Sequence, residues 1–139
     1  MNLPSILMLE PDDADRFITK IFFEEHHFEA DLHFTASSSE FFAFLENAKS
    51  TGAGVPDLIL LNMHAVPLNA AAILRSLKAD ANLCHIPVVI LSGTKDPNMI
   101  RECYKLGASS FIQKPDTEAE TNKKILSFIK YWFETVDLA

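Results

Sequence analysis

Hydrophobic positions fall along this chain in two alternating rhythms. Unbroken apolar runs occur at Ser5-Ile6-Leu7-Met8-Leu9, at Leu58-Ile59-Leu60-Leu61 behind Pro56-Asp57, and at Ile86-Pro87-Val88-Val89-Ile90-Leu91. Such short runs without polar alternation predict strands covered on both faces. Helical spacing fills the intervals. Ala14, Phe17, Ile18, Ile21 and Phe22 form one stripe, with Asp12 or Asp13 as cap and His26-His27 at its end. The weakly alternating stretch Ala30 to Thr35 predicts an edge strand, and Ser37-Ser38-Ser39-Glu40 caps a helix that buries Phe41, Phe42, Leu45 and Ala48. A loop from Asn62 through Pro67 leads to a helix from about Asn69, with Ile73, Leu74 and Leu77 inward. Asp96-Pro97 opens the next helix, Gly107 closes it, and Ser109 to Ile112 make a last short strand. The cleanest period comes last, at Ile125, Phe128, Ile129, Trp132, Phe133 and Val136.

Five strands alternating with five helices imply an α/β domain with parallel pairing through right-handed crossovers. The predicted architecture is a flavodoxin-like (βα)5 three-layer sandwich with a five-stranded sheet of order 2-1-3-4-5. This order puts the most apolar strands at the centre and the polar second strand at an edge. One domain spans residues 1–139, closed by an extended C-terminal helix. Ligands of such sheets bind outside the carboxyl ends of the strands. That rim gathers Glu10, Asn62, Ser92 and Lys114.

Composition narrows the function classes. Hydrophobic residues make up 48% and charged residues 22%, the net charge is −7, and the few Lys and Arg are scattered, so no basic stripe is available for nucleic acid. No apolar run reaches the roughly 20 residues of a membrane span. The stretch Met1 to Leu9 has no basic region of a leader, so a cytoplasmic protein is expected. Cys84 and Cys103 form no CxxC and predict two reduced thiols. His26, His27, His33, His64 and His85 lack the spacing of a metal site, and none is expected.

Four segments, in this order and spacing, resemble bacterial response-regulator receiver domains over nearly the whole chain. They are Leu9-Glu10-Pro11-Asp12; Pro56-Asp57-Leu58-Ile59-Leu60-Leu61-Asn62; Ile86 through Ser92; and Gly107-Ala108-Ser109-Ser110-Phe111-Ile112-Gln113-Lys114-Pro115. The closing Tyr131-Trp132-Phe133-Glu134-Thr135-Val136 is similar to the tail of single-domain receivers that serve phytochrome-type histidine kinases. The resemblance implies two-component signal transduction without enzyme activity. It places a phosphoacceptor aspartate where this chain has Asn62, and a metal-binding acid where it has Pro11. An amide cannot form an acyl phosphate, and Mg²⁺ wants several hard oxygen ligands. Glu10 is a poor substitute, and Asp12 is better suited to capping the helix, so Mg²⁺ binding is expected to be lost and no cofactor is expected.

The resemblance also gives Lys114 the role of pairing with acid or phosphoryl oxygens. Without a phosphoryl group, an ion pair to Glu10 is the expected use. Ser92 matches the switch hydroxyl, with a loop or capping serine as the other reading; Phe111 matches the switch aromatic, with plain packing as the other. Tyr131, Trp132, Phe133 and Val136 form a candidate interface for a protein partner or a homodimer, or pack the last helix on its own sheet.

The leading expectation is a receiver-only response regulator that works independently of phosphorylation, by contact with a histidine kinase or a downstream signalling protein. A conventional phosphoacceptor using another acid, or carrying a substituted acceptor, is the alternative. A small flavin or nucleotide enzyme on the same fold is the third, weakened because Glu10, Asp12 and Asp13 stand where phosphate would want backbone amides.

Overall fold

The computed structural model describes residues 3–51, 54–65, 67–93 and 96–113, together with 120, 123, 124, 127, 130 and 131, the side chain of Phe22 excepted. Its elements run β1 (Ser5–Leu9), α1 (Asp13–Glu25), β2 (Asp31–Thr35), α2 (Ser38–Ser50), β3 (Leu58–Asn62), α3 (Ala70–Ala79), β4 (Val88–Ser92), α4 (Pro97–Lys105) and β5 (Ser110–Gln113). All pairings are parallel, in the order β2-β1-β3-β4-β5, as the apolar runs predict. The fifth predicted helix falls mainly outside the described residues.

Strand periodicity divides each apolar run between two cores. Leu7, Leu9, Ile59, Leu61, Val88 and Ile90 point to one face, where Phe41 and Leu45 of α2, Ile73, Leu74 and Leu77 of α3 and Cys103 of α4 cover them. Ile6, Met8, Leu58, Leu60, Val89 and Leu91 point to the other, against Phe23 of α1. Every residue of β3 and β4 is therefore buried, whereas the edge strands β2 and β5 are mostly half-exposed. Truncating any of the buried leucines to alanine costs about 2–5 kcal/mol.

Local chemistry sets the element ends. Ser37 accepts from the Glu40 amide and the Glu40 carboxylate accepts from the Ala36 amide, an almost complete capping box for α2. Asn69 caps α3, and Asp96 caps α4 with Pro97 in its first turn. After α4, Gly107 takes φ 107°, a conformation that favours glycine. The Lys78 stem lies across it, and the Lys78 ammonium donates to the Cys84 and Ile86 carbonyls at 3.1 and 3.4 Å. Burial pushes the Lys78 amine below its ordinary range.

The expected stripe of α1 is corrected. Thr19 and Phe23 are buried, whereas Ala14, Phe17 and Ile18 face outward, Phe17 with 63% of its surface exposed. The inward line starts with polar residues because its first turn abuts the rim: Arg16 donates to the Glu10 carbonyl at 2.6 Å and pairs with Asp13. With that anchorage the helix leaves Ala14, Phe17 and Ile18 outside and Ile21 half-buried.

Candidate functional site

Three strand ends build the rim. Glu10 follows β1, and Asn62 and Ser92 are the last residues of β3 and β4. All three are buried, with Glu10 2% and Asn62 8% exposed. Main-chain bonds hold the frame: the Glu10 amide donates to the Thr35 carbonyl at 3.0 Å, and the Met63 amide to the Leu91 carbonyl at 2.9 Å.

Inside that frame the Asn62 amide has one orientation. Its Oδ1 accepts from the His64 amide at 2.8 Å, and a backbone N–H can only donate. The Nδ2 group therefore faces Glu10, and it donates to both carboxylate oxygens at 3.1 Å. The Asp12 amide reaches the same carboxylate at 3.3 Å. Hydrogen bonds to an ionised acceptor are the stronger kind, about 1.5–3 kcal/mol each. A neutral amide thus solvates a buried carboxylate and ties β1 to β3.

The other sequence-predicted residues scatter. Pro11 is half-buried and its side chain offers no donor or ligand atom, and Asp12 accepts from the Asp15 amide at 2.9 Å as the cap of α1. Ser92 is buried one strand away, and Phe111 is half-buried against the three-helix core. Tyr131 is 54% exposed. Lys114, Trp132, Phe133 and Val136 lie outside the described residues, and with them the expected pairing of Lys114 with Glu10. Both cysteines are free; Cys84 is exposed, and Cys103 is buried 3.8 Å from the Met63 sulfur, with burial pushing its thiol above the ordinary range.

Sequence reasoning missed Arg16, whose only signal is the polar run Asp15-Arg16 within an amphipathic helix. It also missed Tyr104, whose hydroxyl accepts from the Phe111 amide at 3.1 Å.

The family description "Response regulator receiver domain" matches residues 6–126. The chain belongs to that family. Among curated proteins this receiver is similar to the two-component response regulator ORR13 of Oryza sativa subsp. japonica, 28% identical over 131 residues that cover 93% of this chain and 100% of the relative. It is also similar to the response regulator Rcp1 of Synechocystis, 23% identical over 96% of this chain and 91% of Rcp1. Among solved structures, the phosphorylated cyanobacterial phytochrome response regulator RcpA superposes with a TM-score of 0.88 at 23% identity, over 99% of each chain. A response regulator in red light signaling of R. palustris gives the same TM-score and coverage at 26% identity. The receiver fold and the two-component class follow from these matches. Among the described residues no helix is long and apolar enough to cross a membrane.

Proposed function

We propose that this receiver signals without taking phosphate: a pseudo-receiver of two-component signal transduction, cytoplasmic, working by contact with proteins and catalysing nothing. One observation carries the reading, the bond from Asn62 Nδ2 to both oxygens of Glu10. A phosphoacceptor must present a carboxylate oxygen to the incoming phosphorus, and this position presents N–H. The donor set does not fit Mg²⁺ either. Among the described residues Glu10 offers the one buried carboxylate, an amide N–H points at it, the Pro11 side chain offers no oxygen, and the Asp12 carboxylate caps α1.

The same bond takes over the work of a cation there. It supplies partial positive charge to a buried carboxylate and holds two strand ends at fixed distance in one conformation. Contact surface is available without any switch. Ala14, Phe17 and Ile18 present an apolar face on α1 beside the rim, and exposed aromatic anchors of this kind carry binding energy. Membership of the response-regulator receiver family supports a histidine kinase, or a protein downstream of one, as partner. The proposed C-terminal contact, with or without homodimerisation, retains Tyr131 as its exposed member.

The test is incubation with acetyl phosphate or beryllofluoride in excess Mg²⁺, read by intact mass and amide spectra. The expected result is no adduct and no shift at Asn62, Ser92 or Phe111. A stable phosphoryl adduct on any rim residue overturns the reading and restores the conventional phosphoacceptor.

A further inference from the structure

Edge strand β2 pairs only with β1 among the described strands. The Asp31 amide donates to the Pro4 carbonyl at 2.8 Å and the Thr35 carbonyl accepts from the Glu10 amide at 3.0 Å, so Asp31, His33 and Thr35 are the residues whose main chain serves β1. In a parallel ladder the residues between them point the other way. The amides and carbonyls of Leu32 and Phe34 therefore line an open edge that no described strand covers. The strand carries neither proline nor lysine, the usual guards of such an edge, and the Glu40 carboxylate closes only the Ala36 amide just beyond it.

The two faces of β2 differ. Leu32 and Phe34 are half-buried against the core that Phe23 of α1 covers. On the other face the His33 ring lies 4.9 Å from the Phe44 ring of α2, and its Nε2 is 3.0 Å from the Asp31 carboxylate, with both side chains partly exposed.

This edge is complementary to itself. His33 is the middle of five residues, so an antiparallel copy overlaps the whole strand only when the two-fold axis passes through His33. That register sets Leu32 of each copy opposite Phe34 of the other, and the outward amides and carbonyls of both then find partners. Asp31, the one acid of the strand, faces Thr35 of the other copy and lies diagonal to its His33. Carboxylate thus meets imidazole rather than carboxylate, in a chain of net charge −7.

We propose that the β2 edge is the seat of a second copy of this chain. Two receivers pair β2 to β2, antiparallel about His33, and the five-stranded sheet of one continues into the other. Leu32 and Phe34 join the two α1-side cores across the junction, main-chain bonds fix the register, and the antiparallel turn sends the two rims to opposite ends. The Asn62–Glu10 pair and Tyr131 take no part. The proposal therefore stands whether or not the rim takes phosphate.

The test uses the full chain, with sedimentation and amide hydrogen exchange followed from about 1 μM to about 1 mM, since edge pairing is a small contact of the weak class. A reversible dimer is expected, in which the Leu32 and Phe34 amides exchange at least about fivefold more slowly at high concentration, whereas the Asp31 and His33 amides, already bonded to β1, are protected throughout. Cysteine scanning in a Cys84→Ser background reads the register. Residues facing each other on the axis in a non-hydrogen-bonded pair are about 4.5 Å apart at Cα, within disulfide reach, so His33→Cys is expected to form a cross-linked dimer under mild oxidation. Leu32→Cys stands diagonal to its own mate at about 7–8 Å and is expected to cross-link poorly. Leu32→Pro removes an amide that β1 does not use and half of the bonds across the junction, and is expected to weaken the dimer about tenfold or more. The proposal is overturned by a chain that stays monomeric to about 1 mM, by a dimer that leaves the Leu32 and Phe34 amides unprotected, by equal cross-linking of the two cysteine variants, or by a Leu32→Pro dimer as tight as wild type. Protection of these amides in a monomeric chain by an added peptide of alternating Thr and Val also overturns it, since the occupant is then a foreign strand.

Discussion

Two hydrogen-bonded closures in this molecule differ in every physical respect. At the rim, the Asn62 amide closes on Glu10 inside the protein, charge-assisted and with both groups buried. At the β5 edge, the Tyr104 hydroxyl closes on the Phe111 amide at the surface. Breaking the first takes a donor from a buried carboxylate, whereas water can take up the pieces of the second. A receiver is a two-state device only if some ligand binds its states differently. On the proposed reading, the place where the family's phosphoryl group would act is a fixed joint, and exposed contacts at α1 and β5 are what a partner can use.

The comparison breaks most decisively if the rim can be reopened. Asn62→Asp restores a nucleophile without a second metal acid, and Pro11→Asp restores an acid with nothing to phosphorylate. Each single variant is expected to stay unlabelled by phosphodonor, whereas the double variant takes label and gains a Mg²⁺-dependent rise in melting temperature. Positioning and charge neutralisation act together in phosphoryl transfer, so the effects are strongly non-additive. Full labelling of Asn62→Asp alone would show that Glu10 or Asp12 already suffices.

The next largest effect is on stability. Asn62→Ala removes the Nδ2 donor shared by both oxygens of the buried Glu10 carboxylate and is expected to cost about 1–3 kcal/mol, measured by urea unfolding. Asn62→Asp sets a second carboxylate against the first. The introduced carboxyl has its folded pKa raised above its unfolded value by the like charge, so it destabilises at neutral pH. That cost fades as the pH falls through the raised value toward about 4. An Asn62→Asp protein as stable as wild type at pH 7 without Mg²⁺ would contradict the closed rim.

On α1 the expectation is the reverse. Phe17→Ser and Ile18→Ser change exposed positions and should leave the melting temperature nearly unchanged, within about 0.5 kcal/mol. In pull-downs against a histidine kinase they should weaken capture several-fold. A drop of about 2 kcal/mol or more in either variant would return these side chains to a core and remove the proposed contact face.

The sheet was legible in the sequence because burial on both faces leaves no choice but apolar residues. Ile6 to Leu9, Leu58 to Leu61 and Val88 to Leu91 state their own position. The caps at Ser37 and Asp96 were legible for the same local reason, that a short polar side chain must satisfy the first amides of a helix, whereas Asn69 was read only as a helix start. The roll of α1 was not, because two faces of that helix carry apolar residues and a tertiary bond from Arg16 to the Glu10 carbonyl chooses between them. At the rim, sequence named Asn62 and Glu10 but not their bond, which depends on His64 fixing the amide. Tyr104 left no trace, since a tyrosine on an exposed helix face has no spacing to betray it.

A third polar closure is charged like the rim and accessible like the β5 edge, and it gives the finest test of which property matters. Lys49, near the end of α2, reaches Glu46 at 2.9 Å and Asp80, the C-cap of α3, at 2.5 Å, with about a quarter or less of the Lys49 and Asp80 side chains exposed. The Lys49 hydrogen bond holds the Asp80 carboxyl below its ordinary value of 3.8, helped by the Asn82 amide, and the bond to Asp80 holds the Lys49 amine above 10.5. For the acid, the stabilisation is complete above its unfolded pKa and is lost as pH falls through the lowered folded value. For the amine, it is complete below the unfolded pKa and is lost as pH rises through the raised folded value. Asp80→Asn is therefore expected to lower the melting temperature slightly at pH 7, less than Asn62→Ala does, and the gap to wild type should close under strong acid. Added salt should shrink it as well, because this pair is within reach of water and counterions. If Asp80→Asn instead costs as much as Asn62→Ala and resists salt, charge rather than burial makes a closure rigid, and the contrast between rim and edge loses its physical basis.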